Sequence, residues 1–174
     1  DLTNFHKSYT ALIRNKITPI LVNNTVSGRN ISLVIHQDEF KRALNVIHGE
    51  IFGVAKKVNI AIFGHGTVGG TLIEQILASA KNIETKKGIK LNIFAIANSK
   101  KVLLNKSGIN QDWKNALQND AQNYSIDEVI SYAKEHHLEN LIAIDNTASK
   151  VFVTNYISLA QNGFDLISSN KVAN

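Results

Sequence analysis

A run of mostly apolar residues, Val58–Phe63, leads directly into Gly64-His65-Gly66-Thr67-Val68-Gly69, and then into Leu72, Ile73, Ile76 and Leu77 at helical spacing. A strand apolar on both faces belongs inside a parallel sheet covered by helices. The glycines that follow have separable tasks. Gly64 permits a tight turn, Gly66 lets backbone approach a pyrophosphate, and Gly69 lets the helix pack closely on the strand. Backbone N–H groups at the helix start, with the helix dipole behind them, favour a dianion. The segment therefore predicts a strand–turn–helix unit of an α/β fold that binds a dinucleotide; a glycine-rich turn that only packs is the other reading.

The rest of the chain beyond Gly53 has a matching rhythm. Leu91–Ala97, Leu141–Asp145 and Phe164–Ser168 read as further strands. Ser125-Ile126-Asp127-Glu128 has the spacing of a capping box, and Ile126, Val129, Ile130 and Ala133 share one face of the helix behind it. Residues 150–162 read as another helix, stopped by Gly163. Strands alternating with helices through short turns predict a doubly wound parallel sheet with right-handed crossovers. No internal repeat or low-complexity tract interrupts it.

Before Gly53 the pattern differs. Phe5, Tyr9, Leu12 and Ile13 recur at helical spacing, and Ile17–Val22 is strand-like with Pro19 confining it to an edge. Ser27-Gly28-Arg29-Asn30 reads as a turn, and Ile31, Leu33 and Ile35 alternate in a second strand. Asp38 can cap a helix carrying Phe40, Ala43, Leu44 and Ile47, with Gly49 as its stop. Helix, strand, strand, helix is a βαββαβ-like unit lacking its first strand. The expected division is residues 1–53 and 54–174.

Composition narrows the function classes. The absence of cysteine excludes disulfides, thiol catalysis and thiolate metal sites. No apolar run approaches the ~18 residues of a membrane span, and no signal-like segment precedes one. A soluble, cytoplasmic protein with no membrane partner is expected. The net charge of +5 comes mainly from scattered lysines, with only Arg14, Arg29 and Arg42 as arginines, so no nucleic-acid partner is expected. His136-His137 diverge by about 100° on a helix and form no common ligand face, so no metal site is expected. The chain begins at Asp1 and stops at Asn174 just after a strand pattern, which reads as a piece of something longer.

The strand ends carry the candidate chemistry. An NAD site normally places Asp or Glu after the second strand to bind the ribose 2′-hydroxyl. Here Ala97-Asn98-Ser99-Lys100-Lys101 contains no acid, and a lysine beside a serine suits a 2′-phosphate, so NADP is favoured over NAD. Asp145-Asn146-Thr147-Ala148-Ser149 ends the third strand, where ligands sit in open α/β sheets; Asp145 and Thr147 equally suit capping of the next helix. Ser168-Ser169-Asn170-Lys171 brings a lysine to the same edge. His65 reads as a variable turn position, Trp113 as the anchor of an Asn/Gln-rich connection, and Asn23-Asn24 as a turn or an effector contact.

Together VNIAIFGHGTVGG (58–70), AIANSK (95–100), DNTAS (145–149) and GFDLISSNKVAN (163–174) resemble homoserine dehydrogenase, in that family's order. The closer resemblance is to bifunctional aspartokinase–homoserine dehydrogenases, because Arg29–Gly53 looks like their junction between an ACT regulatory segment and the dehydrogenase. The resemblance implies a Rossmann-type fold preceded by a partial ACT-like α+β segment. It also implies NAD(P)-dependent interconversion of aspartate 4-semialdehyde and homoserine, in threonine and methionine biosynthesis. Gly64, Gly66, Thr67, Val68 and Gly69 would form the pyrophosphate turn. Ser99 and Lys100 would hold the adenosine ribose or its phosphate, and Thr147 and Ser149 the nicotinamide half. Lys171 would be both cofactor-binding and catalytic, its cation polarising the aldehyde oxygen. A homo-oligomer is implied for the full-length protein. Two positions depart from the pattern: Asn146 stands where relatives often carry cysteine, and Ser169 where they often carry proline. The family's substrate domain and aspartokinase domain are outside these residues, so cofactor binding with little turnover is expected, and the rival reading is a non-catalytic nucleotide- or amino-acid-sensing module.

Overall fold

The computed structural model describes residues 2–25, 30–52 and 55–172. The chain divides into two compact units, Asp1–Lys56 and Lys57–Asn174.

The first unit runs α1 (Leu2–Arg14), β1 (Leu21–Asn24), β2 (Ile31–Val34), a 3-10 turn at Gln37–Glu39, and α2 (Phe40–Phe52). β1 and β2 pair antiparallel, with Leu21 opposite Val34 and Asn24 opposite Ile31. Leu12, Ile17, Ala43 and Val46 are the centre of its core. Pro19 precedes β1 rather than lying in it, as its missing N–H requires. Gly49 does not stop α2, which continues to Phe52; glycine inside a helix costs only about 1 kcal/mol, less than the packing of this amphipathic face supplies. Asp38 sits within the 3-10 turn and makes no cap. Residues 27–29 of the expected turn lie outside the described residues, but Thr25 N–H donates to the Asn30 carbonyl at 3.0 Å across it. Asn23 and Asn24 lie in β1, not in a turn.

The second unit contains β3 (Lys56–Phe63), α3 (Thr67–Lys87), β4 (Ile89–Ala97), β5 (Lys101–Leu104), α4 (Trp113–Asn119), β6 (Gln122–Asn123), α5 (Ile126–Glu135), β7 (Leu141–Asp145), α6 (Tyr156–Gln161) and β8 (Phe164–Ser168). The strands form one sheet in the order β6-β5-β4-β3-β7-β8. β3, β7 and β8 are parallel, and their register places Phe63 opposite Asp145 and Asp145 opposite Ser168, so three strands end in one row. The chain fills one side of β3 first and returns to the other through β7, creating a crevice where strand order reverses.

The expected doubly wound sheet is present, with an antiparallel edge that the sequence reading did not contain. β5 pairs antiparallel with β4, and β6 with β5. The alternation of side chains along β3 explains both helical layers. Ala61 and Phe63 face a core with Phe94, Val129, Phe152 and Leu159. Ile60 and Ile62 face the opposite core, with Ile73, Ile93, Trp113 and Leu117. Trp113 anchors its connection as expected, only 3% exposed.

Two local expectations change. Ser125 is the N-cap of α5 but makes no side-chain cap bond, and Glu128, the other half of the expected box, accepts instead from the Gln122 amide of β6. The single helix expected over 150–162 is a 3-10 turn at Phe152–Asn155 followed by α6, after which Gly163 adopts φ +86°. Among the described residues no group of His, Cys, Asp or Glu could hold a metal ion, and no helix is long and apolar enough to cross a membrane.

Candidate functional site

Backbone crowding explains the glycine turn. Gly64 has φ +87°, and its N–H donates to the Ala97 carbonyl at 2.8 Å, joining the ends of β3 and β4. A Cβ on Gly64 would stand 2.8 Å from the Asn146 carbonyl oxygen, and one on Gly69 only 1.9 Å from the Gly64 oxygen. No side chain fits at Gly69 without moving backbone. Gly66 is the reverse case: nothing lies within 4 Å of its Cβ position. It is the N-cap of the 21-residue helix α3 and supplies no capping side chain, so the first-turn N–H groups lack a side-chain acceptor. Backbone donors with open space in front of them suit a phosphate.

That turn walls a cavity of about 750 Å³, within the range of a cofactor pocket. Phe63, Gly64, His65 and Gly66 form one side; Asn98 and Ser99 come from the turn after β4. Asn146, Thr147, Ala148 and Ser149 follow β7, and Tyr124, Val151, Phe152 and Asn155 complete the lining. Five of the expected residues, Gly64, Gly66, Ser99, Thr147 and Ser149, are thus brought together. Thr67 and Val68 are exposed at the start of α3, and Gly69 is buried beneath the turn. Lys100 is exposed beside the lining residue Ser99, Lys171 is exposed just beyond β8, and neither lines the cavity itself. His65 does line it. Its ring meets Asn98 Nδ2 at 3.2 Å from Nε2 and packs edge-on to Trp113 at 5.7 Å.

The loop after β7 is held by side chains acting as backbone acceptors. Asp145 Oδ1 accepts the Thr147 N–H at 2.7 Å, Thr147 Oγ1 that of Ser149 at 3.3 Å, and Ser149 Oγ that of Phe152 at 3.2 Å. Asp145 and Thr147 thus hold turns of the loop and cap neither the 3-10 turn at Phe152 nor α6, contrary to the capping expectation, while Thr147 and Ser149 line the cavity. Asp145 is 2% exposed. Its Oδ2 accepts from the Tyr156 hydroxyl at 2.6 Å and from Asn170 Nδ2 at 3.1 Å. Partial burial, then donation to Asp145, holds the Tyr156 phenol above its ordinary pKa. The two positions that depart from the family pattern meet each other: Ser169 Oγ donates to Asn146 Oδ1 at 3.0 Å.

Sequence reading missed Tyr124, Phe152 and Asn155 as lining residues. Tyr124 stands just before the α5 N-cap, and nothing in its local pattern distinguishes it. Burial, with the negative charge of Asp145 added, pushes its phenol up to about 12, so it stays a hydrogen-bond donor. Its hydroxyl and the Asn146 Nδ2 are buried polar atoms with no hydrogen-bond partner among the described residues.

Comparison with known proteins bears on the same segment. Residues 64–174 match the family model described as homoserine dehydrogenase, NAD binding domain. The bifunctional aspartokinase/homoserine dehydrogenase of Haemophilus influenzae is 34% identical over 167 residues, covering 95% of this chain and 20% of that protein. The one from Buchnera aphidicola is 32% identical over 169 residues, covering 97% and 21%. The chain thus spans about a fifth of the length of these curated relatives. A hyperthermophilic archaeal homoserine dehydrogenase solved in complex with NADPH shares the fold, with a TM-score of 0.51 at 23% identity over 67% of this chain and 37% of that one. Matched across its whole crevice-forming unit from the glycine turn onward, the chain belongs to the homoserine dehydrogenase NAD-binding domain family.

Proposed function

We propose that this chain is the dinucleotide-binding part of a homoserine dehydrogenase carried within a bifunctional aspartokinase/homoserine dehydrogenase, taking NADP in preference to NAD. The observation that carries this is a single cavity joining the uncapped start of α3, the turn after β4 and the loop after β7. A dinucleotide needs those three regions in that order. The turn Gly64–Gly69, with Thr67 and Val68 at the helix start, would take the pyrophosphate; Ser99 and Lys100 the adenosine ribose and its 2′-phosphate; Thr147 and Ser149 the nicotinamide ribose. That the described residues lining the cavity include neutral Asn98 and Ser99 after β4, and no Asp or Glu, supports NADP.

Bound at that edge, the nicotinamide would exchange hydride with aspartate 4-semialdehyde and homoserine as the small-molecule substrates. Lys171 would act there as a cation at the aldehyde oxygen, its backbone held by Asn170, which is 1% exposed. We read the helix–strand–strand–helix unit of residues 1–53 as the end of an ACT-like regulatory segment, and residues 54–174 as the cofactor domain. The exposed Leu166 and Ile167 on the edge strand β8 support a homo-oligomer in the full-length protein. A biosynthetic role of this kind points to the cytoplasm.

Calorimetric titration with NADPH and NADH tests the reading. NADPH should bind more tightly, and Lys100→Ala should weaken NADPH much more than NADH. Failure of both to bind the unaltered chain would remove the assignment.

A further inference from the structure

The carboxamide of Asn98, the first residue beyond β4, is oriented by the bonds it makes. Its Oδ1 accepts the backbone N–H of Lys100 at 2.8 Å and of Lys101 at 2.7 Å. Its own backbone N–H donates to the Lys101 carbonyl at 2.9 Å, closing a turn with Ser99 and Lys100 at the tip. With the oxygen committed to two donors, the side of the amide that meets His65 is its NH2 group, 3.2 Å from Nε2. Nε2 therefore accepts, and the imidazole carries its hydrogen on Nδ1. A carboxamide is the one short planar group that can do both things, because it holds an acceptor and a donor on one carbon. One uncharged side chain thus ties the turn after β3 to the turn after β4.

The place matters as much as the bonds. Dinucleotide folds that take NAD carry a carboxylate near the end of this strand, where it accepts from the ribose hydroxyls and repels a 2′-phosphate. Asn98 has the shape of aspartate without its charge. Among the described residues no carboxylate lines the cavity. The turn itself carries Lys100 and Lys101, while the Lys114 ammonium, 5.3 Å from the ring of the Trp113 that packs on His65, is paired with the Glu74 carboxylate at 2.8 Å.

Resting on the reading of this cavity as a dinucleotide site, we propose that Asn98 is the specificity-determining residue of its adenosine end. Through Oδ1 it shapes Ser99 and Lys100 into a cradle for a 2′-phosphate, and through Nδ2 it holds that cradle in register with the glycine turn. Its neutrality admits the phosphate.

Asn98→Asp keeps the acceptor for both N–H groups and adds charge, but it also loses the Nδ2 donor to His65, so the His65 variants below read that tie separately. The variant and the unaltered chain would be titrated with NADPH, NADH, adenosine 2′,5′-bisphosphate and AMP, the last two reading the adenosine end alone. The unaltered chain should prefer the 2′-phosphorylated member of each pair. In N98D those two ligands should weaken by about 10- to 100-fold, as like charges brought together require, while NADH and AMP bind as before or tighter. Equal losses for all four ligands, or no change in the ratio, would overturn the role of Asn98 and leave the cofactor reading standing. No binding of any of the four to the unaltered chain would remove the cofactor reading, and this proposal with it. Should N98D not fold, the pair His65→Gln and His65→Leu decides. Gln retains an acceptor for Nδ2 and should keep the NADPH preference; Leu has none and should lower it. Identical ratios in the two His65 variants would overturn the register role.

Discussion

Asn170 Nδ2 donates to the buried carboxylate of Asp145 at 3.1 Å, across the ends of two neighbouring parallel strands. The same amide group donates to the Ser149 carbonyl at 3.0 Å, while Asn170 Oδ1 accepts the Val172 N–H at 3.1 Å. One side chain therefore fixes the loop after β7 and the backbone on both sides of Lys171. A buried carboxylate is tolerable only with its donors in place. Asn170→Ala should cost about 1.5–3 kcal/mol, the range for a hydrogen bond to a charged group, in urea-induced unfolding. A loss below the error of the measurement would mean that Asp145 finds another donor.

The glycine turn separates steric need from function. Gly69→Ala places a Cβ 1.9 Å from a backbone oxygen, and should cost at least about 3 kcal/mol or displace the turn. Gly66→Ala meets no atom within 4 Å, so its stability should stay within about 1 kcal/mol of the unaltered chain. Its methyl would nevertheless stand in the path of a pyrophosphate and weaken dinucleotide binding. Equal destabilisation by the two changes, read from thermal unfolding, would contradict this division.

These two cases show what was legible in advance. Gly64, Gly66 and Gly69 could be read because backbone geometry demands glycine there, and such demands are local. The run Val58–Phe63 and the helical spacing after it fixed β3 and α3 for the same reason. The antiparallel β5 and β6 were not legible, since Lys101–Leu104 is a four-residue strand whose pairing depends on the Asn98 turn. Nor was Tyr124 legible as a cavity residue. Its ring reaches the site through contact with Phe63, a relation between residues 61 positions apart that no window contains. The glutamate half of the Ser125–Glu128 capping box failed for a complementary reason, because Glu128 accepts instead from Gln122, outside the helix.

The unpartnered Tyr124 hydroxyl carries a cost that can be measured. Without a hydrogen bond, a buried hydroxyl loses its water and receives nothing in return. Tyr124→Phe should leave stability unchanged or raise it by about 1 kcal/mol in the absence of cofactor, contrary to the usual sign for losing a buried tyrosine hydroxyl. A loss of more than about 1 kcal/mol on thermal unfolding would show that the hydroxyl is bonded in solution.

Away from the site, Glu139 makes stability depend on pH in an unusual sense. Burial raises its pKa above the ordinary carboxylate value, opposed in part by hydrogen bonding and by the charge of Lys57. The folded chain therefore holds this proton more tightly than the unfolded one. As pH rises from the ordinary glutamate range through the folded-state value, the unfolded chain loses its proton first, and the Glu139 contribution to stability falls. Above that window the penalty stays constant. Glu139→Gln, neutral throughout, should remove the falling segment from a plot of unfolding free energy over about pH 4 to 8, and be the more stable chain at neutral pH. Lys57→Gln should have the opposite effect, since it removes the charge that favours ionised Glu139. If E139Q instead proves less stable at neutral pH, the carboxylate is compensated by Lys57 more strongly than it is desolvated, and the order of the two effects is reversed.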